Sequence, residues 1–220
     1  MTKKEIASKI FYQIIGLVIL SFGVTGIIVT NLGAGSFDAF NVFFSELIHT
    51  QPGTTTFLTS AIMAIILALI KKEPKILISM LVALLTGVFI NGWIEVFTLL
   101  LNLESSSSIM KNLWFSIPFY LISMIITALG AVMLIVTKSI MSSYDEVTLY
   151  LGSKLGSYKK GKIALDGAFL ILAVILGLIS KTLFTQINFF TVFVVITLGP
   201  IINFMLDQYN KKKGDRNVTK

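Results

Sequence analysis

Cysteine is absent from the 220 residues and histidine occurs once, as His49. Disulfides, thiol catalysis and cysteine-ligated metals are therefore excluded, and a histidine relay or metal cluster has a single residue to build on. Charge is also scarce. Asp, Glu, Lys and Arg make up 13% of the chain, where a soluble domain carries roughly a quarter. No G-x-x-x-x-G-K-[ST], H-E-x-x-H or G-x-S-x-G occurs, so nucleotide hydrolysis by a P-loop, zincin chemistry and serine hydrolysis are not expected. The chain reads as a non-enzyme with no cofactor and no metal centre.

What is present is apolar sequence in long unbroken runs. Apolar residues account for 55% of the chain and the mean hydropathy is +0.88. Six runs are long enough to cross a bilayer as a helix, which takes about 17–25 residues, at about 10–30, 54–71, 75–100, 112–136, 161–180 and 186–207. The run at 10–30 is too long for a signal-peptide core and lacks a small-residue cleavage site, so it is expected to be retained as the first span. Pro74 marks the turn between the second and third spans. Residues 103–108 read as a polar linker, and residues 210–220 as a disordered cytoplasmic tail.

The net charge of +7 does not indicate nucleic acid, because the basic residues lie between and outside the apolar runs. With six spans, 16 of the 18 Lys and Arg residues fall on one side, and only Lys111 and Lys181 on the other. The positive-inside rule then places both termini in the cytoplasm of a multi-pass plasma-membrane protein.

A gap-free shift of 107 positions superposes Gly23 on Gly130, Ile28-Val29-Thr30 on Ile135-Val136-Thr137, Ser36 on Ser143 and Asp38 on Asp145. The chain reads as an internal duplication within a single membrane domain, with one repeat at about 1–103 and the other at about 110–209. Three spans per repeat is an odd number, so the second copy enters the membrane from the opposite face. The expected fold class is an all-α polytopic membrane protein of two inverted three-helix repeats, an arrangement common in secondary transporters.

Each repeat contains a glycine- or serine-rich break followed by a segment too short to span, at 36–48 and 143–155. Phe37, Phe40, Phe43, Phe44 and Leu47 lie at helical spacing, and Asp38, Asn41 and Ser45 form a polar stripe. Asp145, Thr148 and Gly152 repeat that stripe. Ser36 and Ser143 are natural N-caps, and Ser143 with Glu146 would make a capping box. Asp38 and Asp145 then fall in the first turn, where a carboxylate favours the positive end of the helix dipole. Capping alone explains these residue types if the short helices are interfacial. If they are re-entrant, each acid needs a partner, a proton or a cation. The candidate solute- or ion-binding residues are Asn31, Gly33, Gly35, Ser36, Asp38, Asn41, Ser143, Asp145, Thr148 and Asp166. Asp166 either faces the site or forms an i,i+4 pair with Lys162. Glycines at the matched positions Gly92 and Gly199 suggest close packing or a hinge there.

The stretch Asn31-Leu32-Gly33-Ala34-Gly35-Ser36-Phe37-Asp38 resembles the LGASPWDVL-like signature of the YczE/YyaS/YitT group of bacterial integral membrane proteins. The likeness extends over most of the chain in length, span pattern and duplication. Gly35 and Phe37 stand where that signature often has serine or proline and tryptophan. The resemblance implies a bacterial plasma-membrane protein and names no substrate.

The leading functional expectation is a small transporter or permease of a polar solute or cation, with its site between the repeats. The alternatives are a non-transporting accessory protein that binds a partner membrane protein, and the substrate-binding membrane subunit of an ATP-driven importer. Expected partners are the lipid bilayer, a small solute or cation and a second copy or partner membrane protein, with no nucleic acid.

Overall fold

The structure, a computed structural model, describes residues 3–100, 113–137 and 140–218. The linker at 103–108 and positions 138–139 of the second break lie outside the described residues. The elements in order are α1 (Lys3–Thr30), α2 (Ser36–Leu47), α3 (Pro52–Lys71), a 3-10 turn (Pro74–Ile78), α4 (Ser79–Leu100), α5 (Leu113–Thr137), α6 (Ser143–Leu155), α7 (Tyr158–Ser180), α8 (Leu183–Gln186) and α9 (Phe189–Val218). Among the described residues, six segments are long and apolar enough to cross a membrane: Ala7–Thr30, Pro52–Lys71, Pro74–Leu100, Leu113–Thr137, Tyr158–Ser180 and Leu183–Lys211. They match the six spans expected from hydropathy to within a few residues. α9 continues as helix to Val218, where the sequence suggested disorder from Asn210.

The order of elements recurs with the 107-residue shift. α1 and α5 end at Thr30 and Thr137, and α2 and α6 begin at Ser36 and Ser143. α3 corresponds to α7, and the 3-10 turn before α4 corresponds to α8 before α9. Both α3 and α7 stop at a lysine in the left-handed conformation, Lys72 (φ 55°) and Lys181 (φ 61°), whose amides return to carbonyls of the last turn.

α1 and α5 form the most extensive pairing. Small residues let their backbones approach closely, the usual basis of helix association where lipid supplies no hydrophobic drive between helices. A Cβ on Gly23 would stand 2.4 Å from the Thr127 amide nitrogen, and one on Gly130 would stand 2.4 Å from that of Leu20. Thr127 is the 107-residue counterpart of Leu20, and Gly130 that of Gly23. Residue i of one helix therefore meets the counterpart of j while j meets the counterpart of i, the reciprocity of a two-fold interface. The remaining contacts, Gly16 with Leu134 and Gly26 with Ser123, fall in opposite numerical order along the two helices, so α1 and α5 run antiparallel.

Close packing at Gly92 and Gly199 is not found, since a Cβ at either would meet nothing within 4 Å. The tight positions are Gly53 against Gly87, where α3 meets α4, and Gly161 against Gly152, where α7 meets α6. A shared residue type at matched positions does not by itself mark a contact.

The buried apolar core lies where α1, α2, α5, α7 and α9 meet, around Ile27, Val42, Phe43, Tyr120, Ala173 and Val194. Outward-facing Leu69, Leu99 and Phe184 are 73%, 81% and 80% exposed, which suits hydrocarbon and would be costly in water. Polar side chains point inward instead. Ser21, Thr25, Asn41, Thr55 and Thr148 are all at most 1% exposed.

Candidate functional site

The site begins where α1 stops. Asn31 (φ 52°) and Gly33 (φ 129°) hold positive φ, which ends the helix. Gly33 has no alternative residue. A Cβ there would lie 2.6 Å from Asn188 Oδ1 and 2.7 Å from the Thr191 amide nitrogen. The freed backbone groups find partners in Gln186 of α8, as burial requires. Its Nε2 donates to Ile28 O at 3.2 Å and Asn31 Oδ1 at 2.7 Å, and its carbonyl accepts from the Ala34 amide at 3.0 Å. The break is thus a built connection between the two halves.

α2 then starts from Gly35, which is extended (φ −61°, ψ 157°) and supplies no side-chain cap. α6 starts from Ser142 (φ −71°, ψ 155°), whose hydroxyl accepts from the Asp145 amide at 3.1 Å and donates to its carboxylate at 2.7 Å. The caps are therefore Gly35 and Ser142, one residue before the expected Ser36 and Ser143, and Asp145 replaces Glu146 as the reciprocal acid. Glycine and serine pairs at both breaks leave the register ambiguous by one in the sequence, and backbone geometry decides it.

That one-residue difference frees Ser36 and Ser143 for long-range contacts. Ser143 shares a 2.9 Å hydrogen bond with Ser79 of α4. Ser36 donates to Asp166 Oδ1 of α7 at 3.1 Å. The Tyr144 phenol of α6 donates to the same oxygen, and Lys162 Nζ lies 3.5 Å from Asp166 Oδ2. Lys162 also donates to the Tyr144 hydroxyl at 3.4 Å, with its nitrogen 5.0 Å from the ring centroid. One carboxylate thus gathers groups from α2, α6 and α7. Burial, then the hydrogen bond to Asp166, holds the Tyr144 phenol far above its ordinary pKa, so it keeps its proton and acts as donor.

Aromatic rings wall the cluster. Phe37 meets Tyr144 in a tilted pair at 5.3 Å and Phe169 edge-on at 4.9 Å, and Phe40 meets Phe169 at 5.3 Å. Phe37 and Tyr144 are counterparts under the 107-residue shift, so the first turns of the two short helices meet at equivalent positions.

Asp38 is half-buried beside this cluster, and no hydrogen bond reaches its carboxylate among the described residues. Burial raises its pKa above the ordinary carboxylate range, Asp166 adds to the rise, and Lys162 opposes it. Asp145, its counterpart, is held by its own cap. The remaining candidates have packing roles. Asn41 bonds to Phe37 O at 2.8 Å and accepts from Thr59 at 2.8 Å, joining α2 to α3. Thr148 donates to Tyr144 O at 2.8 Å within α6. Among the sequence candidates the structure gathers Ser36, Asp38 and Asp166. It adds Tyr144 and gives Lys162 a place. Tyr144 was legible only as an apolar-face residue. Its position opposite Phe37 in the duplication is the signal that could have singled it out.

Two open depressions lie apart from the cluster. One, of about 310 Å³, is lined by Leu149, Gly152 and Tyr158 at the α6–α7 turn. The other, of about 370 Å³, is lined by Gln51, Ile94 and Glu95. The carboxylate cluster lines neither of them.

Among the described residues, six apolar segments of spanning length, with the short helices α2 and α6 lying between the first and second and between the fourth and fifth, define the class of a polytopic helical membrane protein. Over residues 7–207 the chain matches a family of unknown function (DUF6198), and it belongs to that family. It is also similar to the uncharacterized protein YyaS of Bacillus subtilis (strain 168), with 32% identity over 143 residues, covering 65% of this chain and 68% of that protein. No solved structure matches the chain.

Proposed function

We propose that this protein is a small bacterial plasma-membrane permease, built as two inverted repeats with both termini in the cytoplasm, that carries a cationic or polar solute through the Asp166 cluster. The observation that carries the reading is the meeting of Phe37 and Tyr144, counterparts in the two halves, beside the one carboxylate to which the Tyr144 hydroxyl donates. Three further features support it. The reciprocal α1–α5 contacts have the form of a two-fold axis crossing antiparallel helices, which in a bilayer lies in the membrane plane. Secondary transporters of this type place their sites at the repeat interface, beside interrupted helices. Asp166 lies within an apolar segment of spanning length, Tyr158–Ser180, where a carboxylate is expensive and points to a functional site. The resulting mechanism is alternating access, with the two halves rocking about the α1–α5 pair.

The test is uptake into liposomes containing the purified protein. Asp166→Asn is expected to reduce uptake to the background of protein-free vesicles, with membrane expression unchanged. Full uptake by this variant would refute the site. Strict dependence on a copurifying ATPase would move the assignment to the membrane subunit of an importer.

A further inference from the structure

The Asp166 cluster already holds one cation, and it comes from the protein itself. The Lys162 ammonium is bound by a carboxylate oxygen at 3.5 Å, by the Tyr144 hydroxyl oxygen at 3.4 Å and by the Tyr144 ring face at 5.0 Å. A carboxylate, a hydroxyl acceptor and an aromatic face are the three groups that recognise an organic ammonium. The Tyr144 hydroxyl can accept from the ammonium because its own proton is committed to Asp166. Lys162 sits in the second turn of α7 with its side chain 48% exposed. Its four-carbon stem is therefore free to swing away, whereas Asp166, Ser36 and Tyr144 hold one another by hydrogen bonds.

The counterpart positions show that the cage is peculiar to one half. Thr55 and Thr59 stand where Lys162 and Asp166 would fall in the first repeat, and both hydroxyls are bonded within α2 and α3. The acid and its ammonium thus stand together in one half only. Beside the cage, no hydrogen bond reaches the Asp38 carboxylate among the described residues, and Lys162 is the cation that acts on it.

We propose that the transported solute is a small organic ammonium, and that Lys162 is the tethered occupant of its site in the unloaded protein. This rests on the permease reading above and names its substrate class. An arriving ammonium takes over the contacts to Asp166 and Tyr144, and Lys162 leaves on its stem. No bond is made or broken and no proton need move. When the solute departs, Lys162 returns and neutralises Asp166, so the empty site is not left as an uncompensated buried charge.

The test is equilibrium binding of n-butylammonium, tetramethylammonium and Na⁺ to the detergent-solubilised full-length protein, which does not depend on transport. A lysine held at an effective concentration in the millimolar range is a strong competitor. Lys162→Met is therefore expected to bind n-butylammonium on the order of tenfold tighter than the unmodified chain. n-Butylammonium should outrank both tetramethylammonium, which has no N–H to donate, and Na⁺, and adding Asp166→Asn should abolish its binding. Equal affinity in the Lys162→Met and unmodified proteins, or no preference over Na⁺, would overturn the proposal. If Lys162→Met does not fold, Lys162→Arg serves. Its bidentate hold on Asp166 should weaken n-butylammonium binding, and unchanged binding would be contrary. Binding without uptake in liposomes would support the ammonium site and reject the permease. Uptake of another solute that n-butylammonium does not inhibit would support the permease and overturn the ammonium assignment.

Discussion

α6 opens with Ser142, whose hydroxyl both accepts from the Asp145 amide and donates to the Asp145 carboxylate. α2 opens with Gly35, which has no side chain to do either. The two helices begin 107 residues apart and each carries an aspartate at its third position. In α6 that aspartate is absorbed by the cap. In α2 no hydrogen bond reaches it among the described residues, and the charges that act on it are Asp166 and Lys162. The same duplicated motif serves local stability in one copy and presents a free carboxylate in the other. Residue identity at a matched position therefore says less about role than the residue three places before it.

The largest expected effect that separates the two breaks is at Gly33. Gly33→Ala would force a side chain into a φ of 129° and against Asn188 and the Thr191 backbone. Backbone strain alone is on the order of 1–3 kcal/mol, and the close approach adds to it. The counterpart is Ile140, which is 44% exposed. Ile140→Ala is expected to melt within a few degrees of the unmodified protein, while Gly33→Ala loses folded yield. Equal losses in detergent thermal-shift measurements would remove the distinction between the breaks.

A smaller effect separates the caps. Ser142→Ala should destabilise by about 1 kcal/mol, as for other serine caps. Gly35→Ser would give α2 the cap that α6 has, since φ −61° accepts any residue and the new Cβ would stand 3.3 Å from Asp38 Oδ2. It should gain stability, lower uptake by engaging Asp38, and so turn α2 into a copy of α6. Unchanged uptake would show that Asp38 takes no part in the site.

The smallest effect concerns pH. The folded protein raises the Asp38 pKa, so the protonated form is the one that folding favours. Its contribution to stability is fully present below the ordinary carboxylate pKa and is lost as pH rises through the raised value. Asp38→Asn should therefore be more stable than the unmodified protein at alkaline pH, with the difference closing under acid conditions. Melting curves across pH would show it, and a constant offset at all pH values would contradict it.

Much of the fold was legible because each span is a local signal. A run of some 20 apolar residues announces a crossing helix without reference to the rest of the chain, and the 107-residue shift is read from the sequence alone. The short helices were legible too, from the spacing of Phe37, Phe40 and Phe44 and from the length that rules out a span. The site was only partly legible. Ser36, Asp38 and Asp166 stood out as polar residues in apolar surroundings. That Ser36 would reach Asp166, 130 residues away, has no local signature. Tyr144 was hidden by its aromatic character, because a tyrosine on an apolar face looks like core until the acid that its hydroxyl meets is known. Gln186, which satisfies the end of α1 from the opposite half, carried no signal beyond being a lone amide near a span.

The central claim is that the two halves face opposite sides of the membrane, and surface labelling tests it most directly. Ile48 and Leu155 are counterparts at the ends of α2 and α6, 40% and 44% exposed, and the chain has no cysteine to interfere. Ile48→Cys and Leu155→Cys would each be treated with a membrane-impermeant thiol reagent, in intact cells and after permeabilisation. The account predicts that Ile48→Cys reacts in intact cells and that Leu155→Cys reacts only once the membrane is opened. Reaction of both from the same side would contradict the inverted arrangement and the permease built on it.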